Sequence, residues 1–411
     1  MNGSKLMLVL ACAMAFLAPC NARGTELEDK LTRILTGPNE TVRWQAIAAL
    51  RNDREKSIAA LGQLISAAAS EAQSTPPRSL VRPSMAELLE LIGSTKRPEA
   101  EVVLIQLLGA AHTGIAMVAA DTLGRNRLTG SIRSLKRQIY RPEFQMSYGF
   151  RFNLVRSLAR MKHPDALEFL DGLRSQLDGQ LRFEVDRLLE QVNESDFQGD
   201  TQRFDDWQTA HESKIVLASG QSESEARQRM MLGRAQQYYG IDIQSKRMMF
   251  IIDHSGSMKG GDAGITRLDR AKYELVRAIE RLPEDAEFGI LFYASMVQRW
   301  RSELMQATDQ NKREAIAFVG RLGFGHQTNT YAALRQALEF DDDLEAVFVL
   351  TDGRPTSGQI ADPQAIIADI IHRNRFRHLH FNTIGIAVDG PTERFLRTLA
   401  ELSGGEFRKA R

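Results

Sequence analysis

Apolar residues along the N-terminal part of the chain recur every three to four positions, which is the spacing of an amphipathic helix. The pattern extends from residue 26 to residue 194 without strand-like alternation. Within it one arrangement repeats: an amphipathic helix, a short polar or Gly/Pro turn, and a second amphipathic helix. Equivalent positions of successive segments are Leu50, Leu91, Leu123 and Leu158. Subtraction gives steps of 41, 32 and 35 residues, which lie in the range of helical-pair repeats.

These segments resemble the HEAT class of helical repeats. By that resemblance, residues 26–194 form an all-α solenoid whose exposed surface offers a binding site for a second protein partner. The same periodicity would also suit a plain helical bundle. The stretch between Ser70 and Pro83 breaks the repeat register, so it is predicted to be a loop.

A basic stretch lies inside the repeats, because no acidic residue occurs between Asp121 and Glu143. The basic residues of this interval are Arg125, Arg127, Arg133, Lys136, Arg137 and Arg141. Such a stretch can bind an acidic partner, or it can be the solvated outer face of two helices. The sequence leaves both interpretations open.

The pattern changes after residue 194. Residues 195–244 are mostly polar and lack a clear period, so they are predicted to be a linker with a connecting helix near its end. Trp207 is expected to dock this segment onto one of the flanking domains.

From residue 245 to residue 411, short apolar runs alternate with amphipathic helices. Met248 to Ile252 is a continuous apolar run, as is typical of a strand buried on both faces of a parallel sheet. Further strands are predicted at residues 287–294, 346–351, 380–388 and 406–409. This order predicts a doubly wound, Rossmann-like α/β domain after the helical repeats, and hence a multidomain chain. Ligands of such domains gather outside the carboxyl ends of the strands.

Short oxygen-bearing side chains follow two of these strands. Asp253 ends the first strand and precedes Ser255 and Ser257, whereas Asp352 follows the strand at 346–351. The segment TNT before the next helix offers two more hydroxyls, those of Thr328 and Thr330. Carboxylate and hydroxyl oxygens are ligands that a hard cation prefers. The sequence therefore predicts that they converge on one cation.

The pattern DxSxS, together with the threonine of TNT and the aspartate of TDG, resembles the metal-ion-dependent adhesion site of von Willebrand factor type A domains. The matching positions are Asp253, Ser255, Ser257, Thr328 and Asp352. Of the two threonines, Thr328 matches the family position, and Thr330 is expected to begin the next helix. By that resemblance the five matching residues hold Mg²⁺ or Mn²⁺, and a protein ligand completes the coordination with an acidic residue. Taken singly, each segment could instead be an ordinary turn. His254, inside the motif, is expected to point to solvent or toward the ligand.

Overall charge and motifs narrow the function. The chain has 53 Lys and Arg against 52 Asp and Glu, so no global charge favours nucleic acid or an anionic membrane. It lacks the GxxxxGK[ST] loop of nucleotide motors and the GxSxG elbow of hydrolases. A phosphatase that uses Asp253 as its nucleophile would need a second aspartate where this chain has Ser255. The protein is therefore expected not to be an enzyme.

Residues 1–22 have the pattern of an export signal: Lys5, an apolar run from Leu6 to Ala18, and small residues around Asn21. Cleavage is expected after Ala22, and it would remove both cysteines of the chain. Acylation of Cys20 is the alternative, although a proline precedes it. No later apolar segment is long enough to cross a membrane. The sequence predicts an exported bacterial protein, periplasmic or extracellular.

The resulting hypothesis is a non-enzymatic, exported adhesion protein that binds an acidic protein ligand through its cation. The alternative is an assembly scaffold, in which the helical repeats recognise the partner and the metal ion is structural.

Overall fold

The computed structural model describes residues 22–76, 81–219 and 237–410. Apart from Ala22, the predicted signal peptide lies outside the described residues. The chain divides into two compact units. The first comprises Met1–Phe144, Phe150–Leu170 and Glu194–Gly199, and the second comprises Gln145–Gly149, Asp171–Asn193 and Asp200–Arg411. This division differs from the predicted boundaries, which assign residues 171–193 to the repeats.

Helices account for nearly all regular structure before residue 237 in the described part of the chain. They are α1 (Ala22–Thr36), α2 (Glu40–Arg51), α3 (Arg54–Ala59), α4 (Leu61–Ser74), α5 (Pro83–Ser94), α6 (Pro98–Leu107), α7 (Thr113–Arg125), α8 (Ile132–Lys136), α9 (Pro142–Met146), α10 (Tyr148–Met161), α11 (Pro164–Leu173), α12 (Gly179–Leu189) and α13 (Thr201–Ser219). The predicted all-α character of this region is confirmed. Its HEAT-like arrangement stays a prediction.

Local sequence signals set where these helices begin. The Asn39 side chain accepts a hydrogen bond from the amide of Val42 and caps α2, and a proline occupies the first turn of both α5 and α6. In the first unit, α5 packs against α2, α4, α6 and α7 through a buried apolar stripe that includes Leu88 and Ile92. Helix α4 continues to Ser74, so the predicted loop before Pro83 begins later than expected.

The basic stretch is partly neutralised within the first unit. Arg125 pairs with Asp121 at 2.8 Å and lies 3.5 Å from Glu90. Arg141 pairs with Glu143 at 2.8 Å. These ion pairs favour the interpretation of a solvated helical surface over that of a concentrated basic patch.

Helix α13 corrects the linker prediction for residues 201–219. The Asp200 side chain accepts from the amide of Arg203 at 3.0 Å and provides an N-terminal cap. Trp207 is buried and stacks on His211, with ring centroids 4.8 Å apart. His211 in turn lies 2.9 Å from the Asp171 carboxylate in the same unit. Among residues 201–212 the helix buries Trp207 and His211 and no aliphatic side chain, so the aliphatic periodicity that predicts a helix is absent from this part.

The second unit contains the predicted α/β domain. Its strands are β1 (Gln237–Tyr238), β2 (Ile241–Asp242), β3 (Arg247–Asp253), β4 (Gly261–Asp262), β5 (Ile265–Thr266), β6 (Glu287–Tyr293), β7 (Val297–Arg299), β8 (Met305–Gln306), β9 (Ala346–Thr351), β10 (His380–Ile386) and β11 (Phe407–Ala410). Its helices are α14 (Arg267–Arg281), α15 (Asp309–Gly320), α16 (Thr330–Leu338), α17 (Pro363–Asn374) and α18 (Gly390–Ser403).

The main sheet has the order β11-β10-β9-β3-β6-β7, and β8 also pairs with β6. Strands β11, β10, β9, β3 and β6 are parallel, whereas β7 and β8 run antiparallel to β6. Strand β3 is central, so β9 and β6 flank the end of the strand that carries Asp253. The parallel α/β prediction is confirmed.

Helices cover both faces of this sheet, which explains the continuous apolar run in β3. Phe250 faces a core shared with α14 and α15, and its ring stacks on Phe348 of β9 with centroids 5.5 Å apart. Ile251 faces the opposite core, shared with α16, α17 and α18. Tyr238 of the β1–β2 hairpin packs edge-on against Phe250, so this hairpin also covers the first face.

One carboxylate is buried at the opposite end of the sheet from Asp253. Glu345 accepts hydrogen bonds from the amides of Gln180 and Lys246, each at 3.0 Å, and pairs with Arg247 at 3.2 Å. Burial nevertheless raises the pKa of Glu345 to about 7, against the effect of the two amides and the arginine.

The raised pKa predicts a pH-dependent stability. Because the folded state holds the Glu345 proton more tightly, this stabilisation is present below the ordinary pKa of 4.5 and is lost as the pH rises through about 7. We expect Glu345→Gln to remove this dependence, which amounts to at most about 3 kcal/mol. Between pH 5 and pH 8 the parent should lose more thermal stability than the variant, as measured by melting curves.

Asp285→Asn is the matched control, because the exposed Asp285 carboxylate pairs with Lys246 beside the same strand. It should keep the pH profile of the parent. Parallel profiles for the parent and Glu345→Gln would mean that Arg247 and the two amides fully compensate the buried charge.

Candidate functional site

Asp253 ends the central strand with its carboxylate buried and fixed. One carboxylate oxygen accepts a hydrogen bond from the Ser255 amide at 2.8 Å. The other accepts from the Thr351 hydroxyl at 2.6 Å. Thr351 is the last residue of the neighbouring strand β9, so both contacts arise where parallel strands end side by side. The sequence did not single out Thr351.

A short 3₁₀ turn, Gly256–Lys259, follows the strand and aligns two hydroxyls. The hydroxyl oxygens of Ser255 and Ser257 lie 3.1 Å apart, and Ser257 donates to an Asp352 carboxylate oxygen at 2.7 Å. Asp253, Ser255, Ser257 and Asp352, four of the five predicted residues, are thus joined in one chain of contacts. Ser257 is exposed, so solvent can reach this chain of contacts at Ser257.

Thr328 is held on a loop that is bonded to the same turn. The Gly256 amide donates to the His326 carbonyl at 3.1 Å, and the Gly325 amide donates to the His254 carbonyl at 2.7 Å. Thr328 itself is buried, and its amide donates to the Thr356 hydroxyl at 2.9 Å. The loop that carries the fifth predicted residue therefore lies against the loops that carry the other four.

The helix after this loop begins where the sequence predicts. Thr330 is the first residue of α16, and the Asn329 side chain caps the helix by accepting from the Ala332 amide at 3.2 Å. The Asn329 amide donates to the Ala294 carbonyl at 2.9 Å, which ties the loop to the end of β6.

The prediction that His254 points to solvent or to a ligand is wrong, because only 6% of the residue is exposed. Its Nδ1 donates to the Gly323 carbonyl at 2.8 Å, and its ring lies edge-on against Phe292. Burial lowers the pKa of His254, which favours the neutral imidazole. Gly325 allows this arrangement, because a Cβ there would lie 2.3 Å from the Cβ of Ala294. His254 therefore secures the loop that carries Thr328.

Arg267 is a member of the site that the sequence analysis missed. Its guanidinium donates to the second carboxylate oxygen of Asp352 at 2.7 Å. The Asp352 side chain is fully buried, whereas 29% of the Arg267 side chain is exposed. Arg267 is the first residue of α14, which begins with a capping box formed by Thr266 and Asp269. The sequence predicts the capping box, but it does not predict the contact between Arg267 and Asp352.

Two other basic residues near the site contact groups other than Asp352. Arg354 pairs with Asp389 at 2.6 Å, and both side chains are about half exposed. The Lys259 ammonium lies 5.6 Å from the centre of the Phe324 ring. Of these cations, Arg267 is the one that the structure pairs with a predicted metal ligand.

The electrostatics of the cluster favour an added cation. Burial, with a smaller contribution from the neighbouring Asp352, raises the pKa of Asp253 to about 6, although the hydrogen bonds from Thr351 and Ser255 oppose the shift. Within the described residues, His, Cys, Asp and Glu form no group of three that could hold a metal ion. The candidate site is of another kind, in which two carboxylates are supplemented by hydroxyls, a donor set suited to Mg²⁺ or Mn²⁺.

Residues 248–354 match the family model of the von Willebrand factor type A domain. This part of the chain carries a von Willebrand factor type A domain. The match begins in β3 and ends two residues after Asp352, so it includes every residue of the candidate site.

Two curated relatives are each similar to part of this chain. Von Willebrand factor A domain-containing protein 3B of Homo sapiens is 31% identical over 159 residues, which cover 38% of this chain and 11% of the relative. Inter alpha-trypsin inhibitor, heavy chain 4 of Mus musculus is 28% identical over 130 residues, which cover 29% of this chain and 13% of the relative. The chain thus spans a small share of each relative's length.

A solved structure, von Willebrand factor type A from Catenulispora acidiphila, is 24% identical. The alignment covers 42% of this chain and 40% of that one, with a TM-score of 0.36.

Among the described residues of our chain, no helix combines the length and the apolar character that spanning a membrane requires.

The position of His254 generates a prediction about the loop at residues 323–329. His254→Leu should keep the apolar contact with Phe292 but remove the hydrogen bond to Gly323, which typically contributes about 1 kcal/mol. We expect the loop amides to exchange with deuterium about fivefold faster, because local opening becomes easier. Hydrogen–deuterium exchange followed by mass spectrometry measures this rate.

His372→Leu is the control, because His372 is an exposed residue of α17. It should leave exchange in the loop unchanged. Unaltered exchange in His254→Leu would show that the backbone bonds of the turn hold the loop without the imidazole.

Proposed function

We propose that this protein is an exported, non-enzymatic binding protein that holds a divalent cation, Mg²⁺ or Mn²⁺, and uses it to bind an acidic residue of a protein partner. The proposed ligands of the cation, direct or through water, are Asp253, Ser255, Ser257, Thr328 and Asp352. The observation that supports the proposal is the chain of contacts from Asp253 through both serines to Asp352, whose carboxylate and hydroxyl oxygens are donors that a hard cation prefers.

The charge of the donor set supports a role in binding. Only two of the five proposed ligands are negatively charged, so a divalent cation would keep part of its affinity for another oxygen ligand. Ser257 is exposed, which gives an outside group access to the site. A carboxylate from a partner has the charge and the geometry to fill such a position.

The type A domain supports a protein partner. The curated relatives include inter-alpha-trypsin inhibitor heavy chains, and their similarity to this chain is confined to a fraction of their length. Adhesion, the acidic ligand and export are therefore our proposals for this chain. Export rests on the N-terminal pattern of Lys5, the apolar run and the residues around Asn21.

The donor set also bears on the phosphatase alternative. Ser255 occupies the position where a phosphatase that uses Asp253 as nucleophile would carry a second carboxylate as acid and base. The Ser255 hydroxyl is not such a group, and the backbone amide of Ser255 already donates a hydrogen bond to Asp253. A binding role thus requires fewer additional groups than a catalytic one.

Removal of the buried carboxylate tests the metal site. We expect Asp253→Asn to weaken Mg²⁺ and Mn²⁺ binding at least about tenfold, because the site loses one of its two negative charges while its shape is kept. Isothermal titration calorimetry on the full chain measures the affinity. In addition, Mg²⁺ should raise the melting temperature of the parent by mass action but not that of the variant.

Asp362→Asn is the matched control. Asp362 caps α17 by accepting from the Ala365 amide, and asparagine caps a helix about as well. This variant should bind both cations as the parent does. Equal affinities for the parent and Asp253→Asn would place the cation elsewhere and would contradict the proposal.

The partner is tested with three arms of one capture experiment. The chain, immobilised as bait, is incubated with envelope extract in Mg²⁺, in EDTA, and as Asp253→Asn in Mg²⁺. We expect the same partner in the first arm alone. A partner retained in all three arms would favour the alternative, an assembly scaffold in which the helical repeats recognise the partner.

Binding of the captured protein is then repeated after its surface carboxylates have been amidated. Loss of binding is expected, because the cation would have no carboxylate to accept. Retained binding after amidation, still dependent on Mg²⁺, would overturn the acidic-ligand part of the proposal.

A further inference from the structure

We infer that Arg267 competes with the divalent cation for Asp352, so that the site exchanges between a state closed by the arginine and a state loaded with the cation. The inference rests on the proposed metal site and adds a regulatory residue to it. Arg267 was not among the residues predicted from the motif, and its position follows from a part of the fold outside that motif.

A short hairpin in the chain positions the Arg267 guanidinium at Asp352. The β4–β5 hairpin is inserted between the serine turn and α14, and it returns the chain so that the Arg267 amide donates to the Gly260 carbonyl at 2.7 Å. The side chain then passes over Gly260, where an added Cβ would lie 3.3 Å from the guanidinium carbon. The capping box of Thr266 and Asp269 fixes the start of the helix.

Both oxygens of the Asp352 carboxylate are engaged in this arrangement. One accepts from Ser257 and the other from Arg267, each at 2.7 Å, and the side chain is fully buried. A cation that binds at Asp352 therefore has two routes. It displaces the guanidinium, or it binds beside a fixed positive charge.

Either route weakens cation binding relative to a site without the arginine. Movement of the side chain away from Asp352 is the way in which the chain can relieve this repulsion. Movement is feasible because 29% of the Arg267 side chain is already exposed. In the absence of the cation, the same guanidinium compensates the buried Asp352 carboxylate, and removing it leaves that charge without its ion pair.

Arg354 provides a comparison within the same site. It follows Asp352 by two residues and also pairs with a carboxylate, that of Asp389. Asp389 caps α18 and is not one of the proposed ligands. If the general positive charge near the site controlled cation affinity, the two arginines would have similar effects. If the specific ion pair controls it, only Arg267 matters.

Titration calorimetry of the full chain with MgCl₂, and separately with MnCl₂, tests the inference. We expect Arg267→Gln to bind the cation about tenfold more tightly than the parent, a typical size for coupling between two binding events. Arg354→Gln should bind it as the parent does. Arg267→Lys keeps the charge without the planar fork and should remain close to the parent, which separates charge from shape.

Melting curves supply a second readout. In EDTA, Arg267→Gln should melt at a lower temperature than the parent, because Asp352 has lost its ion pair. Saturating Mg²⁺ should narrow or reverse this difference. If Arg267→Gln does not fold, Arg267→Met, which keeps the apolar stem over Gly260, replaces it in both measurements.

The possible outcomes separate the inference from the function on which it rests. Tighter binding by Arg267→Gln alone supports competition at Asp352, also where the parent itself binds too weakly to measure. Unchanged or weaker binding by Arg267→Gln, with normal binding by the parent, overturns the competition and leaves the metal site intact. Equal tightening in Arg354→Gln overturns the specific ion pair. Absence of binding in the parent and in every variant overturns the metal site and the competition together.

Discussion

The site depends on one carboxylate that is buried at the end of the central strand. Burying a charge costs several kcal/mol unless hydrogen bonds or an opposite charge compensate it. Asp253 receives hydrogen bonds from the Ser255 amide and the Thr351 hydroxyl, but no residue in the described part of the chain forms an ion pair with it. A second carboxylate, Asp352, lies in the same cluster. Together the two carboxylates carry an excess of negative charge. Arg267 and a divalent ion are two cations that can neutralise part of it.

The sheet order explains why three separate loops meet at this carboxylate. Strands β9 and β6 flank β3, and Asp253 lies opposite Tyr293 in the ladder to β6. The loop after β9 brings Asp352, whereas the segment after β6 brings the Ala294 carbonyl that holds the loop of Thr328. Several links between these loops are backbone hydrogen bonds, which need no particular side chains. The side chains that remain are then available for a ligand.

The sequence predicted those parts of the site that follow from strand ends. Parallel strands finish at one edge of a sheet, so Asp253 and Asp352 could be brought together from apolar runs alone. The same reasoning missed Arg267, because its contact depends on how the β4–β5 hairpin returns the chain. It also predicted the wrong environment for His254, because its Nδ1 donates a hydrogen bond to the Gly323 carbonyl, which lies 69 residues away along the chain.

Elsewhere the limits of prediction have a similar cause. The start of each major strand was predictable from apolar runs that are long enough to be buried on both faces. Helix α13 was not predicted, although Asp200 and the spacing of Phe204, Trp207 and His211 carry a helical signal. That signal is weak because the helix buries a histidine against Asp171, a contact that periodicity does not register. Local patterns thus specify the elements, whereas polar contacts between distant residues decide where several of them lie.

Counting the charges of the site gives a physical reason for an acidic partner. Asp253 and Asp352 are partly compensated by Arg267, and the cluster without a divalent cation therefore keeps a net negative charge that repels a carboxylate. A divalent cation would neutralise the two carboxylates, and a guanidinium that stayed beside it would make the net charge positive. Under our proposal, the cation would therefore remove the negative charge that would repel a partner's carboxylate. Under our proposal, Arg267 would have opposite effects on the two events: it would oppose loading of the cation, and, if it stayed beside the bound cation, it would strengthen the attraction for a carboxylate. A site with these properties would hold its cation most firmly when the acidic partner is present, because the partner's charge offsets the repulsion between the two cationic groups.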